Sequence, residues 1–107
     1  MAFFELRQYR MKPGKTAEWV KMMEEVIIPF QASKGMVIVG SFTSPQEEDL
    51  YTWMRRFESE AERESQYAAV YQSDFWKNEV APQIGELIDR EQIKVTRIAP
   101  TTKSTIR

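Results

Sequence analysis

Neither cysteine nor histidine occurs among the 107 residues of this sequence. Without cysteine there is no disulfide, no thiolate nucleophile and no cysteine-held metal. Without histidine a single chain cannot supply a proximal imidazole to a haem, a Ser-His-Asp triad, or most zinc and iron sites. No cofactor and no metal is therefore expected. An excess of one charge is missing too: 15 basic side chains stand against 16 acidic ones. That balance removes the electrostatic case for nucleic acid or an anionic membrane as partner. No apolar run approaches the length of a membrane span, and the first residues lack a signal-peptide pattern, so a cytoplasmic protein is the default expectation. The length suits one domain with a thin core, expected over residues 1–100, with 101–107 as a loose polar tail.

Aromatic residues in strand-length runs are what the sequence does have. Residues 50–57, Leu-Tyr-Thr-Trp-Met-Arg-Arg-Phe, lie between a turn signal and a helix start. Side chains alternate along a strand, so Tyr51, Trp53, Arg55 and Phe57 share one face and Leu50, Thr52, Met54 and Arg56 the other. Rings mixed with a guanidinium suit the lining of a cavity better than a dry core. Residues 3–11 read as an earlier strand, with Phe4 and Leu6 on one face and Glu5, Arg7 and Tyr9 on the other.

Between these strands, Lys12-Pro13-Gly14-Lys15 reads as a turn. Thr16 is the expected cap of a helix whose apolar residues, Trp19, Val20, Met23, Val26, Ile27 and Phe30, recur at spacings of three and four. Pro29 should kink or end that helix, and Gly35 should cap its C-terminus. Residues 36–43 form a further strand, with a bulge or close approach expected at Gly40. Ser59 and Glu62 carry a capping-box pattern for a second helix. A third helical piece spans residues 75–88 and bends at Pro82; residues 92–98 close the chain as a strand. The order β-α-β-β-α-β is that of a ferredoxin-like α+β fold: a four-stranded antiparallel sheet, helices on one face, the first and third strands in the middle. Tyr9, Tyr51, Trp53 and Phe57 on a bare sheet face would be a large aromatic patch, and a homodimer packed sheet to sheet is the expected remedy.

Several segments resemble the NIPSNAP family. They are Glu5-Leu6-Arg7 with Tyr9, Lys12-Pro13-Gly14, Phe57-Glu58-Ser59 with Arg63, the Trp76 region with Pro82, and the closing Ile98-Ala99-Pro100-Thr101. The resemblance runs over nearly the whole chain and implies a dimeric α+β barrel, with no reaction firmly attached to it. Two positions depart from the family pattern: Arg55 stands where a tryptophan is common, and Asp74-Phe75 where Asp-Pro is common. Both fall on the expected pocket, so ligand identity is not carried over. Similar barrels include cofactor-free monooxygenases of reactive aromatic substrates, isomerases and haem proteins, the last disfavoured here by the missing histidine.

Three functions remain in view. The first is binding of a small aromatic or anionic molecule in a pocket built from Glu5, Arg7, Tyr9, Tyr51, Trp53, Arg55, Tyr71 and Trp76, with Tyr67 nearby. The second is cofactor-free oxygenation or isomerisation with Glu5 as the best placed base. The third is an assembly module without catalysis. Pairing the centres of the first and third strands sets Glu5 opposite Arg55, Arg7 opposite Trp53 and Tyr9 opposite Tyr51. Glu5 and Arg55 should form an ion pair across the strands. Arg7 is then left without a carboxylate of its own, to be compensated by a protein group, water or an anionic ligand.

Overall fold

The computed structural model describes residues 2–107. Strands β1 (Phe3–Met11), β2 (Val37–Thr43), β3 (Leu50–Phe57) and β4 (Ile88–Ile98) form one antiparallel sheet in the order β2-β3-β1-β4. The central strands are β1 and β3, and their register sets Glu5 against Arg55, Arg7 against Trp53 and Tyr9 against Tyr51. The ferredoxin-like expectation and the pairing of strand centres both hold.

The helical layer consists of α1 (Thr16–Met22) running into α2 (Ile28–Ser33), then α3 (Glu60–Tyr71), then α4 (Ala81–Leu87). The two prolines do not end their helices. Each follows a π-helical turn, Met23–Ile27 before Pro29 and Trp76–Val80 before Pro82. A proline ring clashes with the carbonyl four residues back and offers it no donor. Widening the preceding turn by one residue removes the need for that bond. The amide of Ile28 donates to Met23, and that of Ala81 to Trp76, each five residues back.

Local chemistry fixes the ends. Gly14 (φ +77°) completes the turn after Pro13, in which the Lys15 amide donates to the Lys12 carbonyl at 3.0 Å. Gly35 (φ +95°) ends α2: its amide reaches Ala32 at 3.0 Å and the Met36 amide reaches Gln31 at 3.1 Å, a Schellman pair of bonds. Thr16 does not cap α1. Lys15 occupies that position without a side-chain bond, and the Thr16 hydroxyl instead donates to Asp49 Oδ1 at 2.7 Å. Asp49 holds a left-handed conformation (φ 60°), and its carbonyl accepts the Met11 amide at 2.8 Å.

The helices cover the face that carries Tyr9, Tyr51, Trp53 and Phe57, all of them buried together with Trp19, Met23 and Ile27. The aromatic patch is therefore satisfied within one chain, which corrects the argument that it must be covered by a second copy. Trp19 meets Tyr9 and Tyr51 edge-on, with centroids 5.8 and 6.2 Å apart, a geometry that the ring quadrupoles favour. On the opposite face Phe4 is buried by the chain's end: Ile98 to Thr101, Ser104 and Ile106 close over Phe4 and Met54. Arg56 Nε holds the tail by donating to the Arg107 carbonyl at 2.6 Å. Val37 and Phe42 remain exposed on this face.

Strand β4 begins at Ile88, four residues before the expected Gln92, because Ile88 pairs with Met11 and Asp89 with Arg10. The apolar pair Leu87 and Ile88 fits a helix stripe or a strand equally well by spacing, and only tertiary pairing decides. Between Asp89 and Lys94, five residue steps on β4 face two on β1, a pronounced bulge. The bulge anticipated at Gly40 is present between Ile38 and Gly40; a Cβ at Gly40 would collide with the Phe42 ring.

The Ser59 hydroxyl accepts the Glu62 amide at 3.1 Å and caps α3. Replacing Ser59 with Ala should cost about 1 kcal/mol, and with Gly only a few tenths. In a thermal melt the Ala variant should fall by roughly 5 °C and the Gly variant by much less.

Candidate functional site

Arg55, on the middle of β3, has no exposed surface. A guanidinium in that position must have every neighbour arranged for it, because an unpaired buried charge costs several kcal/mol. Its Nη2 donates to Glu5 Oε1 at 2.8 Å and to the Tyr67 hydroxyl at 2.7 Å. Its Nη1 donates to Tyr71 at 2.6 Å and to Gln31 Oε1 at 3.0 Å, while Trp53 lies under the ion, 4.8 Å from ring centre to Cζ. Only Nε lacks a partner among the described residues.

Glu5, equally buried, is held by more than Arg55. Tyr67 donates to its carboxylate, 2.7 and 2.8 Å from the two oxygens, and Arg63 Nε lies 2.7 Å from Oε2. Burial by itself would raise the Glu5 pKa. Tyr67 first, then Arg63 and Arg55, more than offset this and lower it from 4.5 to about 2. Tyr67 is pushed the other way, up to about 12, chiefly by burial and then by its bond to Glu5, against the pull of Arg55.

Arg7 is less satisfied. Its Nε donates to the Tyr9 hydroxyl at 2.8 Å, but Nη1 reaches Tyr67 and Glu5 Oε1 only at 3.4 and 3.5 Å. The expectation that it lacks a carboxylate of its own is refined: it borrows a distant edge of one already committed to Arg55 and Arg63.

Above this cluster, between sheet and helices, lies a cavity of about 220 Å³. Of the residues expected at a pocket, Arg7, Tyr9, Trp53, Tyr71 and Trp76 line it, and Tyr67 joins them. Glu5 and Arg55 do not; they lie beneath, consumed by each other. Tyr51 is also off the wall: its hydroxyl bonds Ser41 at 2.5 Å, and burial raises its pKa to about 12. Sequence reasoning missed Gln31, Ile84, Arg90 and Ile93 on the wall. Gln31 carried a signal, a polar residue four places beyond Ile27 on an apolar stripe. Arg90 and Ile93 carried none, since the bulge that turns them inward follows from strand pairing. A larger hollow, bounded by Thr16, Lys21, Glu24 and Asp49, is a shallow solvent-open groove without buried polar groups. Among the described residues no group of acidic side chains is arranged to hold a metal, and no helix is long and apolar enough to cross a membrane.

The Glu5 carboxylate supports a definite pH dependence. Its folded pKa lies below its unfolded one, so its contribution is complete above about pH 4.5 and is lost as pH falls towards 2. The loss should amount to about 3 kcal/mol. Glu5→Gln should lower stability by about 3–5 kcal/mol at pH 7 by leaving Arg55 buried without its counter-charge. Urea unfolding of both proteins from pH 7 to pH 2.5 checks this: the variant should lack the acid-dependent step.

No curated protein sequence matches the chain. Among solved structures, a NIPSNAP family protein from Agrobacterium tumefaciens superposes with a TM-score of 0.88 at 24% identity, covering all of both chains. A second from that organism, of unknown function, gives 0.88 at 25% identity over 99% of this chain and 94% of its own. More distant in sequence, a candidate antibiotic biosynthesis monooxygenase from Caulobacter crescentus gives 0.71 at 16% identity over 94% and 90%, which shows a shared fold. The NIPSNAP family model itself matches residues 4–103, and with its ferredoxin-like topology this chain belongs to the NIPSNAP family.

Proposed function

We propose that the chain binds a small aromatic or anionic molecule in the cavity between sheet and helices. The observation that carries this reading is the convergence of irregular backbone on one space. Both π-helical turns and the β4 bulge supply its wall, through Met23 and Ile27, through Trp76, and through Arg90 and Ile93. Such departures cost regular hydrogen bonding and cluster where a site needs side chains re-aimed. The space is of ligand size: an apolar cavity of about 150 Å³ already takes up benzene.

Glu5 does not serve as a general base in this reading. A carboxyl held near 2 and locked between two arginines and a tyrosine is a poor proton acceptor at neutral pH. Tyr67, near 12, is no better placed to act as one. These facts favour binding over the oxygenase or isomerase alternative.

Titration with toluene and with benzoate, followed by tryptophan fluorescence and by melting temperature, tests the cavity. Trp19, Trp53 and Trp76 all line it, so saturable changes are expected. Ala81→Phe, which fills the wall, should abolish them. No response to either probe, or an undiminished response in Ala81→Phe, would falsify the reading.

The homodimer belongs to the same proposal, with the opposite sheet face as its surface. Val37 (46% exposed) and Phe42 (52%) lie there on β2, and Ile98 at the end of β4 and Ile106 of the tail are exposed on the same side of the sheet. Apolar side chains grouped on one face mark an association site. Sedimentation should give a dimer at micromolar concentration and a monomer for Phe42→Asp, the cavity responses persisting in both. A monomeric parent sinks this part alone.

A further inference from the structure

Within the cavity-binding reading, and resting on it, we infer that the ligand is a monoanionic amphiphile. Its apolar end lies inward and its carboxylate sits at the mouth between Arg7 and Arg90.

Charge accounting supplies the sign. The ion-pair network that runs through Glu5 joins four guanidiniums, Arg7, Arg55, Arg63 and Arg97, to only two carboxylates, Glu5 and Glu60. The surplus is positive in a chain whose formal net charge is −1. Arg55 is the best satisfied of the four; Arg63 has Glu5 and Glu60, and Arg97 has Glu60 at 2.7 Å. Arg7 bonds the Tyr9 hydroxyl at 2.8 Å but reaches a carboxylate only at 3.5 Å, at 17% side-chain exposure, and it faces the cavity. No carboxylate among the described residues lines that wall, whereas two arginines do. Arg90 makes a single bond of 3.2 Å to the Ala81 carbonyl, leaving most of its donors uncommitted. A guanidinium with spare donors in a partly dry setting selects a carboxylate.

The polarity gradient supplies the orientation. Arg90 and Ile93 are the only exposed residues on the wall, so the mouth is at the β4 bulge, and Arg7 is half-buried behind it. The remaining wall is mostly apolar: Met23, Ile27 and Trp76 are buried there, and Tyr9, Gln31, Tyr67 and Tyr71 have their polar atoms engaged by Arg7 or Arg55. An anion entering first would leave two cations at the mouth unanswered and place its own charge among rings and aliphatic chains, the costlier arrangement. Tail-first entry satisfies both ends.

Straight-chain carboxylates from butanoate to decanoate, titrated against the whole protein by tryptophan fluorescence, test the inference. Affinity should rise about fourfold per added methylene until the cavity is filled, then level off. At fixed chain length octanoate should bind at least tenfold more tightly than octanol, and octylammonium more weakly than either. Arg90→Gln, outside the buried ion-pair cluster, should narrow the octanoate preference several-fold and leave octanol unchanged. Arg7→Met should remove most of it, with circular dichroism reporting whether the fold persists; if it does not, Arg90→Gln alone carries the test. Equal binding of octanoate and octanol, or an Arg90→Gln effect on both, overturns the anionic inference while the cavity reading stands. Absence of any chain-length dependence together with silence towards toluene would remove the cavity reading itself.

Discussion

The contact between Arg55 and Glu5 is the constraint on which the site is built. A guanidinium placed at the centre of a sheet, beneath a helical layer, cannot be left to water. Glu5 answers it from the neighbouring strand, Tyr67 from α3, Tyr71 from the end of the same helix, and Gln31 from α2. One ion therefore ties two helices to two strands at defined distances. Because Tyr67, Tyr71 and Gln31 each turn their hydroxyl or amide towards Arg55, their bodies become the cavity wall above it. The pair provides scaffold geometry, and its charge is spent on that task.

Much of this was legible in the sequence. Alternation in residues 3–11 and 50–57 places the right side chains on shared faces, and matching the strand centres yields the register that brings Glu5 to Arg55. The Ser59 cap, the Gly35 stop and the Gly40 bulge follow from residue chemistry at single positions. These features depend on local rules of period and dihedral preference, and such rules act within a few residues.

What was not legible depends on contacts between distant segments. Which sheet face the helices would cover cannot be decided from a strand alone, because both faces of β3 carry apolar residues; Trp19 packing onto Tyr9 and Tyr51 decides it. The start of β4 and the inward turn of Arg90 and Ile93 are set by pairing with Met11 and Arg10. Thr16 was drawn from its capping role by Asp49, a residue 33 positions away in sequence. Pro29 was read as kinking or ending its helix and Pro82 as bending its own; a widened turn before each lets the helical run continue.

The two widened turns have a bearing on how readily the helical layer over the cavity can yield. Around Pro29 and Pro82 the helical run continues through turns whose closing bonds span five residues, from Ile28 to Met23 and from Ala81 to Trp76. Backbone of this kind opens locally at lower free energy than an unbroken helix, which in amide hydrogen exchange reads as early loss of protection. Both segments carry cavity-lining side chains, so breathing in the helical layer is concentrated over the enclosed volume. In the binding reading proposed above, a guest enters at the β4 bulge, and the roof gives around it where its proline-bearing turns are weakest, with no hinge and no mobile loop.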